Sequence, residues 1–332
     1  MTRVLVTGAD GFIGSTLTET LVKRGFTVRA LCLYNSLGSL GWLDAIDKDL
    51  LDEIDVVMGD IRDPALTRDA MKGCEVVYHL AALIAIPYSY EAPSSYIETN
   101  INGTLNVLQA ARELEIQRVV HTSTSETYGT AQYVPIDENH PLVGQSPYSA
   151  TKIGADQLAI SFNKSFEMPI TILRPFNTYG PRQSNRAVIP TIITQLAAGN
   201  KELVLGSLSP TRDFNYVTDT CRAFIAVAES EQTIGKVINC ASRFEVSIGE
   251  TARLIAELMD KQITIVEEDQ RIRPNESEVR RLYGDNSLIK ELTDWAPEYG
   301  GLKGFRHGLQ KTIDWFCKSD NLKMYKADLY AK

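Results

Sequence analysis

The segment that most restricts the fold lies at the start of the chain. Arg3–Thr7 reads RVLVT and runs directly into Gly8-Ala9-Asp10-Gly11-Phe12-Ile13-Gly14. A helical pattern follows, with Leu17, Leu21 and Val22 on one face, until Gly25 stops it. A short, nearly continuous apolar run suits a strand buried on both faces. In GxxGxxG, Gly8 permits the tight turn, Gly11 lets backbone approach a pyrophosphate, and Gly14 lets the helix pack closely on the strand. Strand, glycine turn and helix together predict a dinucleotide site, with Gly8, Asp10, Gly11, Phe12, Ile13 and Gly14 around the phosphates.

The rest of the first half repeats this rhythm. Strands are expected at Thr27–Leu33, Asp55–Gly59, Glu75–Leu80, Arg118–Thr122 and Pro169–Arg174, with a helix over Asn100–Leu114. Strands alternating with helices predict an α/β fold, a parallel sheet with helices on both faces. Beyond Tyr179 the rhythm loosens into a smaller C-terminal α/β lobe. We therefore expect a nucleotide-binding domain over 1–178 and a substrate lobe over 179–332, with the two interleaved. The Gly/Ser-rich stretch Tyr34–Trp42 is expected to be a loop near the cofactor. Ser247 with Glu250 three residues later predicts a capped helix start.

Composition narrows the partners. The chain has 34 Lys+Arg against 42 Asp+Glu, a net charge of −8. That argues against nucleic acid, whose binders carry a basic stripe or domain. The five cysteines are dispersed without a CxxC, and the four histidines lack an HExxH, so reduced thiols and no metal are expected. No uncharged apolar run reaches the ~18 residues of a membrane span. A cytoplasmic protein that does not enter the membrane is the expectation.

Tyr148 and Lys152, in Tyr148-Ser149-Ala150-Thr151-Lys152, fall on one face if the segment is helical. An ammonium beside a phenol stabilises the phenolate, so Lys152 is expected to lower the Tyr148 pKa and to hold the nicotinamide ribose. Such a tyrosine exchanges a proton with a sugar hydroxyl while hydride moves to or from nicotinamide. Thr124, at a strand end, is expected to orient that hydroxyl. The acid that usually holds an adenosine ribose is missing, since Cys32 occupies its place at the end of the second strand. Tyr34, Asn35 or Ser36 is the expected substitute. NAD is favoured and NADP stays open. Asp60 is expected at the adenine amine and Ile61 against the ring.

These segments together resemble the extended short-chain dehydrogenase/reductase family, in its nucleotide-sugar branch. The resemblance spans essentially the whole chain and rests on GADGFIG, GDIRD, HLAA, TNINGT, TSTSETYG, YSATK, RPFNTYGPRQ and TRDFNYVTD. It implies a Rossmann-type sheet, a nucleoside-diphosphate-sugar substrate, a cofactor wall formed by Leu80, Ala81 and Ala82, and a homodimer through a four-helix bundle. Glu126 points to the 4,6-dehydratases, in which such a carboxylate removes the C5 proton after oxidation at C4. Hexose dehydratases carry an Asp-Glu pair here. This chain has Ser125-Glu126, so Glu126 is assigned both base and acid roles, with Ser125 orienting the 6-hydroxyl. The loops Tyr34–Asp44 and Leu83–Tyr90 look like those of LegB-type dehydratases of bacterial legionaminic acid synthesis, which act on UDP- or GDP-linked N-acetylglucosamine. The 4-epimerases and UDP-glucuronate decarboxylases are the alternatives within the family, and a non-catalytic NAD(P)-sensing protein is the alternative outside it.

The expected substrate anchors are Asn177 on a diphosphate or sugar oxygen, and Arg182, Arg212 and Arg273 as a phosphate clamp, because the guanidinium fork matches phosphate. Glu278 is expected at the nucleoside ribose, Ala187–Pro190, including Val188, at the base, and Ile86 near the N-acetyl group or hexose.

Overall fold

The computed structural model describes residues 2–268, 271, 274 and 276–325. Seven parallel strands form the large sheet: β1 (Arg3–Thr7), β2 (Thr27–Leu33), β3 (Asp55–Gly59), β4 (Val76–His79), β5 (Arg118–Thr122), β6 (Ile170–Pro175) and, after three strands of smaller sheets, β10 (Val237–Cys240). Their spatial order is β3-β2-β1-β4-β5-β6-β10. The chain runs outward from β1 to β3, then crosses back to place β4 on the other side of β1. That reversal opens a crevice at the carboxyl ends of β1 and β4, the usual ligand position in such sheets.

Alternation along each strand builds two cores. Val4, Val6, Ala30 and Cys32 pack with Leu17, Leu21, Phe224 and Val227 from the helices Phe12–Lys23 and Val217–Glu229. Leu5, Leu31, Val77 and Val119 face the other way, onto Met71, Val107, Ala111 and Ala159. Successive side chains of a strand point to opposite faces, so both faces of these strands are apolar and both are covered. Each fully buried large apolar side chain contributes ~1.5–3 kcal/mol.

The smaller lobe has two sheets. One joins β7 (Asn177–Tyr179), β9 (Thr211–Tyr216) and β11 (Glu245–Ser247); the other joins β8 (Glu202–Leu205) and β12 (Thr264–Glu267). Its helix Ile248–Leu258 begins at a capping box: Ser247 Oγ accepts from Glu250 N at 3.1 Å and a Glu250 carboxylate oxygen accepts from Ser247 N at 2.9 Å. β10 comes from beyond residue 179 yet pairs with β6, Val237 opposite Ile172.

Two expectations need correction. The helix expected over Asn100–Leu114 starts earlier, at Pro93–Tyr96, widens into a π turn over Ile97–Asn102 and continues over Gly103–Glu113. The widened turn brings Asn100 to the backbone of Leu83, where its amide accepts from Leu83 N at 2.8 Å and donates to Leu83 O at 2.9 Å. The strand Thr211–Tyr216 is absent from the expected strands, because its polar residues hide it from a hydrophobic pattern. Asp213 there is fully buried and accepts from Ser242 and from the backbone of Arg243 and Gly284.

Candidate active site

A cleft of about 820 Å³ runs from the glycine turn, past the ends of β4 and β5, to the smaller lobe. At its first end the backbone does the shaping. Gly8 has φ 68°, and a Cβ there would come within 2.9 Å of the Ala81 backbone. A Cβ on Gly14 would run into the Gly8 carbonyl oxygen. Thr7 Oγ1 accepts from Leu80 N and Ala81 N, both at 3.1 Å, so its hydrogen goes to His79 Nδ1 at 2.8 Å. The turn and the β4 end are thus tied together, with Gly8, Asp10, Gly11, Phe12, Ile13, Gly14, Leu80, Ala81 and Ala82 all lining the cleft. A cradle that a methyl group would fill, facing a helix N-terminus, fits a dinucleotide pyrophosphate. The Asp10 carboxyl is pushed up by burial, against its backbone hydrogen bonds, and its carbonyl accepts from Trp42 N at 3.0 Å.

The structure differs from expectation at the second strand. Tyr34 is 69% exposed and, like Asn35, is absent from the cleft lining. The Asn35 amide is used to build its own loop: it donates to Ser39 O at 2.7 Å and accepts from Leu37 N and Ser39 N at 3.1 Å. Cys32 and Leu33 line the cleft instead, and burial pushes the Cys32 thiol up to about 12. Ile61 and Asp60 also line it, but both Asp60 carboxylate oxygens accept from Arg62, at 2.6–2.9 Å, and that pairing holds the carboxyl below its usual range. Asp60 therefore faces the cleft as half of an ion pair rather than as a free acceptor for an amine.

At the middle of the cleft, the helix Pro147–Phe166 opens with Pro147 at its first position and a capping box between Ser146 and Ser149. Its first turns place Tyr148 and Lys152 on one stripe facing the end of β5, where Thr124, Ser125 and Glu126 also line the cleft. The Thr124 side chain lies close enough to the Tyr148 phenol to act on its ionisation. Ile86, Tyr96 and Tyr148 form a small apolar cluster. Glu126 is buried, at 8% exposure. One expectation reverses here. Burial pushes the Tyr148 pKa well above its usual value; the Thr124 hydroxyl opposes this and the Glu126 charge adds to it. Lys152 Nζ donates to the Thr122 carbonyl at 2.6 Å.

The far end is built from side chains. Asn177, Val188, Arg212, Glu278 and Ile86 all line the cleft. Asn177 Oδ1 is buried with no hydrogen-bond partner, a vacancy in polar satisfaction that a bound donor would fill. Arg212 Nη2 meets Glu278 Oε1 at 3.0 Å. Arg182 does not line the cleft: at φ 72° its side chain turns to the first helix, with Nη2 2.9 Å from Glu19 Oε2 and Nη1 3.4 Å from Ser15 Oγ. Arg273 lies outside the described residues. Arg186, Gln183, Ser184 and Arg271 line the cleft and were missed. A second arginine in the same loop, four residues after Arg182, was the available signal for Arg186.

A parallel sheet with a glycine cradle, a Tyr/Lys pair on one helix and a carboxylate across the cleft defines a nucleotide-sugar-modifying enzyme of the extended short-chain dehydrogenase/reductase type, dependent on NAD(P). A family model described as GDP-mannose 4,6 dehydratase matches residues 5–308, and the chain belongs to that family. Among curated relatives, the "Low-salt glycan biosynthesis protein Agl12" of Haloferax volcanii is 33% identical, covering 96% of this chain and 99% of the relative. A UDP-N-acetyl-alpha-D-glucosaminuronate decarboxylase of Bacillus cytotoxicus is 32% identical with the same coverage. Among solved structures, the dTDP-glucose 4,6-dehydratase of Bacillus anthracis in complex with NAD superposes with a TM-score of 0.84 at 27% identity, covering 97% of this chain and 98% of that one. Among the described residues, no helix is long and apolar enough to cross a membrane.

Proposed function

We propose that this chain is a 4,6-dehydratase of a UDP- or GDP-linked N-acetylglucosamine, yielding a 4-keto-6-deoxy sugar. The observation that carries the reading is Glu126: a buried carboxylate in the cleft wall, two residues from Thr124 and close enough for its charge to act on Tyr148. An epimerase that only oxidises and re-reduces C4 has no use for it. The apolar wall at Leu83–Tyr88 supports an acetamido sugar, as does its likeness to LegB-type loops. The NAD complex of the Bacillus anthracis enzyme supports NAD as the cofactor.

A dinucleotide held by the Gly8–Gly14 cradle, with Lys152 at its ribose, would supply the hydride acceptor for C4 and the hydride donor for C6. Thr124 orients the C4 hydroxyl, and Tyr148 takes its proton, helped by the Lys152 charge. The resulting ketone acidifies the C5 proton, and Glu126 removes it. Protonated Glu126 then supplies the proton with which the C6 hydroxyl leaves as water, with Ser125 orienting that hydroxyl, and C5 takes a proton from solvent as hydride is returned to C6. Asn177 Oδ1 accepts from a sugar hydroxyl, Arg212 holds the diphosphate and Glu278 the nucleoside ribose, while Val188 packs on the base.

Mass spectrometry after incubation with UDP- or GDP-N-acetylglucosamine in heavy water tests this. Loss of one water with one deuterium gained at C5 is expected, and an unchanged mass with both substrates would reject the assignment. In Glu126→Gln, oxidation should proceed and elimination stall, seen as persistent reduced-nicotinamide absorbance. A decarboxylase reading draws on the Bacillus cytotoxicus relative; it requires a uronic acid substrate and loss of carbon dioxide, which the same spectra distinguish.

A further inference from the structure

Tyr148, Lys152 and Asp156 occupy successive turns of one helix stripe, and the mechanism above uses only the first two. Asp156 is fully buried. Its Oδ2 accepts from Arg174 Nη2 at 2.7 Å and from Ser123 Oγ at 2.6 Å, and Arg174 Nε donates to Ser123 Oγ at 3.2 Å. His121 Nε2 lies 3.3 Å from Oδ1. The Arg174 guanidinium sits 4.6 Å over the Tyr128 ring, whose hydroxyl donates to Asn239 at 2.8 Å. A buried ion pair of this kind adds little net stability over an apolar replacement, so its stability contribution does not explain it.

We propose that Asp156 is a positioning residue for the reaction: one turn below Lys152, it is the fixed negative charge that faces the Lys152 ammonium from inside the protein, and Arg174 and Ser123 hold it there. This rests on the role assigned to Lys152 above. Every other ionisable group around Lys152 is neutral, cationic or directed elsewhere. Tyr148 on the same helix is a phenol whose ionised form burial disfavours. His121 from β5 and His79 from β4 are fully buried and kept neutral by burial, each disfavoured further by the lysine charge. Arg174 from β6 is a cation bound to Asp156, and Glu126 acts on Tyr148. Burial pushes the Lys152 ammonium down to about 8, and Asp156 is the group that pulls it back up. Asp156 itself resists protonation: burial pushes its carboxyl up, but Arg174, His121 and Ser123 together hold it well below the usual range. The cation is present below this folded value and is lost as pH rises through it, so turnover that needs the cation should fall along an alkaline limb near that pH.

The test is the pH dependence of Lys152 acetylation by trace acetic anhydride, read by peptide mass spectrometry on the full-length chain, beside the pH profile of turnover. In Asp156→Asn the labelling midpoint should move to lower pH by about one unit, the size of shift that losing a nearby opposite charge produces. The alkaline limb of turnover should move with it. Asp156→Asn/Arg174→Gln, which does not leave Arg174 an unpaired buried cation, should move the midpoint the same way and carries the test if the single variant does not fold. An unchanged midpoint in a folded variant, with activity lowered equally at every pH, would overturn the proposal and leave Asp156 a structural residue. If no sugar nucleotide loses water in the wild-type protein but the labelling midpoint still shifts, the dehydratase reading fails and the Asp156 inference stands.

Discussion

The two ends of the cleft are made of different materials. At the cofactor end, one continuous stretch, Gly8–Gly14, shapes the site with backbone, and the neighbouring Leu80-Ala81 backbone is clamped to it through Thr7. At the sugar end, the lining comes from Asn177, Arg186, Arg212 and Glu278, scattered over a hundred residues. Backbone geometry is a local property of sequence. A side chain's availability depends on which partner the fold brings to it. Arg182 went to Glu19 and Arg212 to Glu278, and no local pattern foretells those pairings.

The contrast can be tested by substitution. Where the ends meet, Tyr148→Phe should reduce turnover by about a hundredfold to ten-thousandfold, the usual worth of a positioned acid–base group, while dinucleotide still co-purifies; unchanged turnover would remove Tyr148 from the reaction. At the cofactor end, Gly14→Ala should cost ~1–3 kcal/mol from overpacking. Thermal melting should register that cost, and the purified protein should lack bound dinucleotide. Retention of full occupancy would break the claim that backbone approach builds this end. At the sugar end, Arg212→Ala removes a charge-assisted contact worth ~1.5–3 kcal/mol, so KM for the sugar nucleotide should rise about ten- to a hundredfold with a smaller change in kcat. Arg182→Ala should leave KM within about twofold of wild type and lower stability by at most ~1 kcal/mol, the range of an ion pair near the surface. A large KM effect there would return Arg182 to the phosphate clamp.

Legibility followed the same division. The seven-stranded parallel sheet was readable as far as β6, because each strand is an apolar run bounded by turn residues. β9 was hard to read: Arg212, Asp213 and Asn215 are buried polar residues whose partners, Glu278, Ser242 and Cys240, lie far along the chain. The stripe of Tyr148 and Lys152 followed from helical spacing, but the protonation behaviour of the phenol did not, since burial outweighs a lysine that is bonded to the Thr122 carbonyl. Asn35 resembled a ribose ligand in sequence and proved to be the brace of its own loop. Arg182 departs from expectation because, at a left-handed backbone position after Gly180-Pro181, its side chain pairs with Glu19, while Arg186 lines the cleft.

The place of β10 at the outer edge of the large sheet bears on how the chain is made. A ribosome delivers the nucleotide cradle first, and β1 to β6 can pair while synthesis continues. β6 cannot receive its last neighbour until Val237–Cys240 has been translated. Over that interval the nascent polypeptide carries an unpaired strand edge, the kind of surface that recruits other chains. The smaller lobe thus acts as the intrinsic guard of the larger one, and a product that terminates prematurely near residue 178 should be captured by chaperones or aggregate.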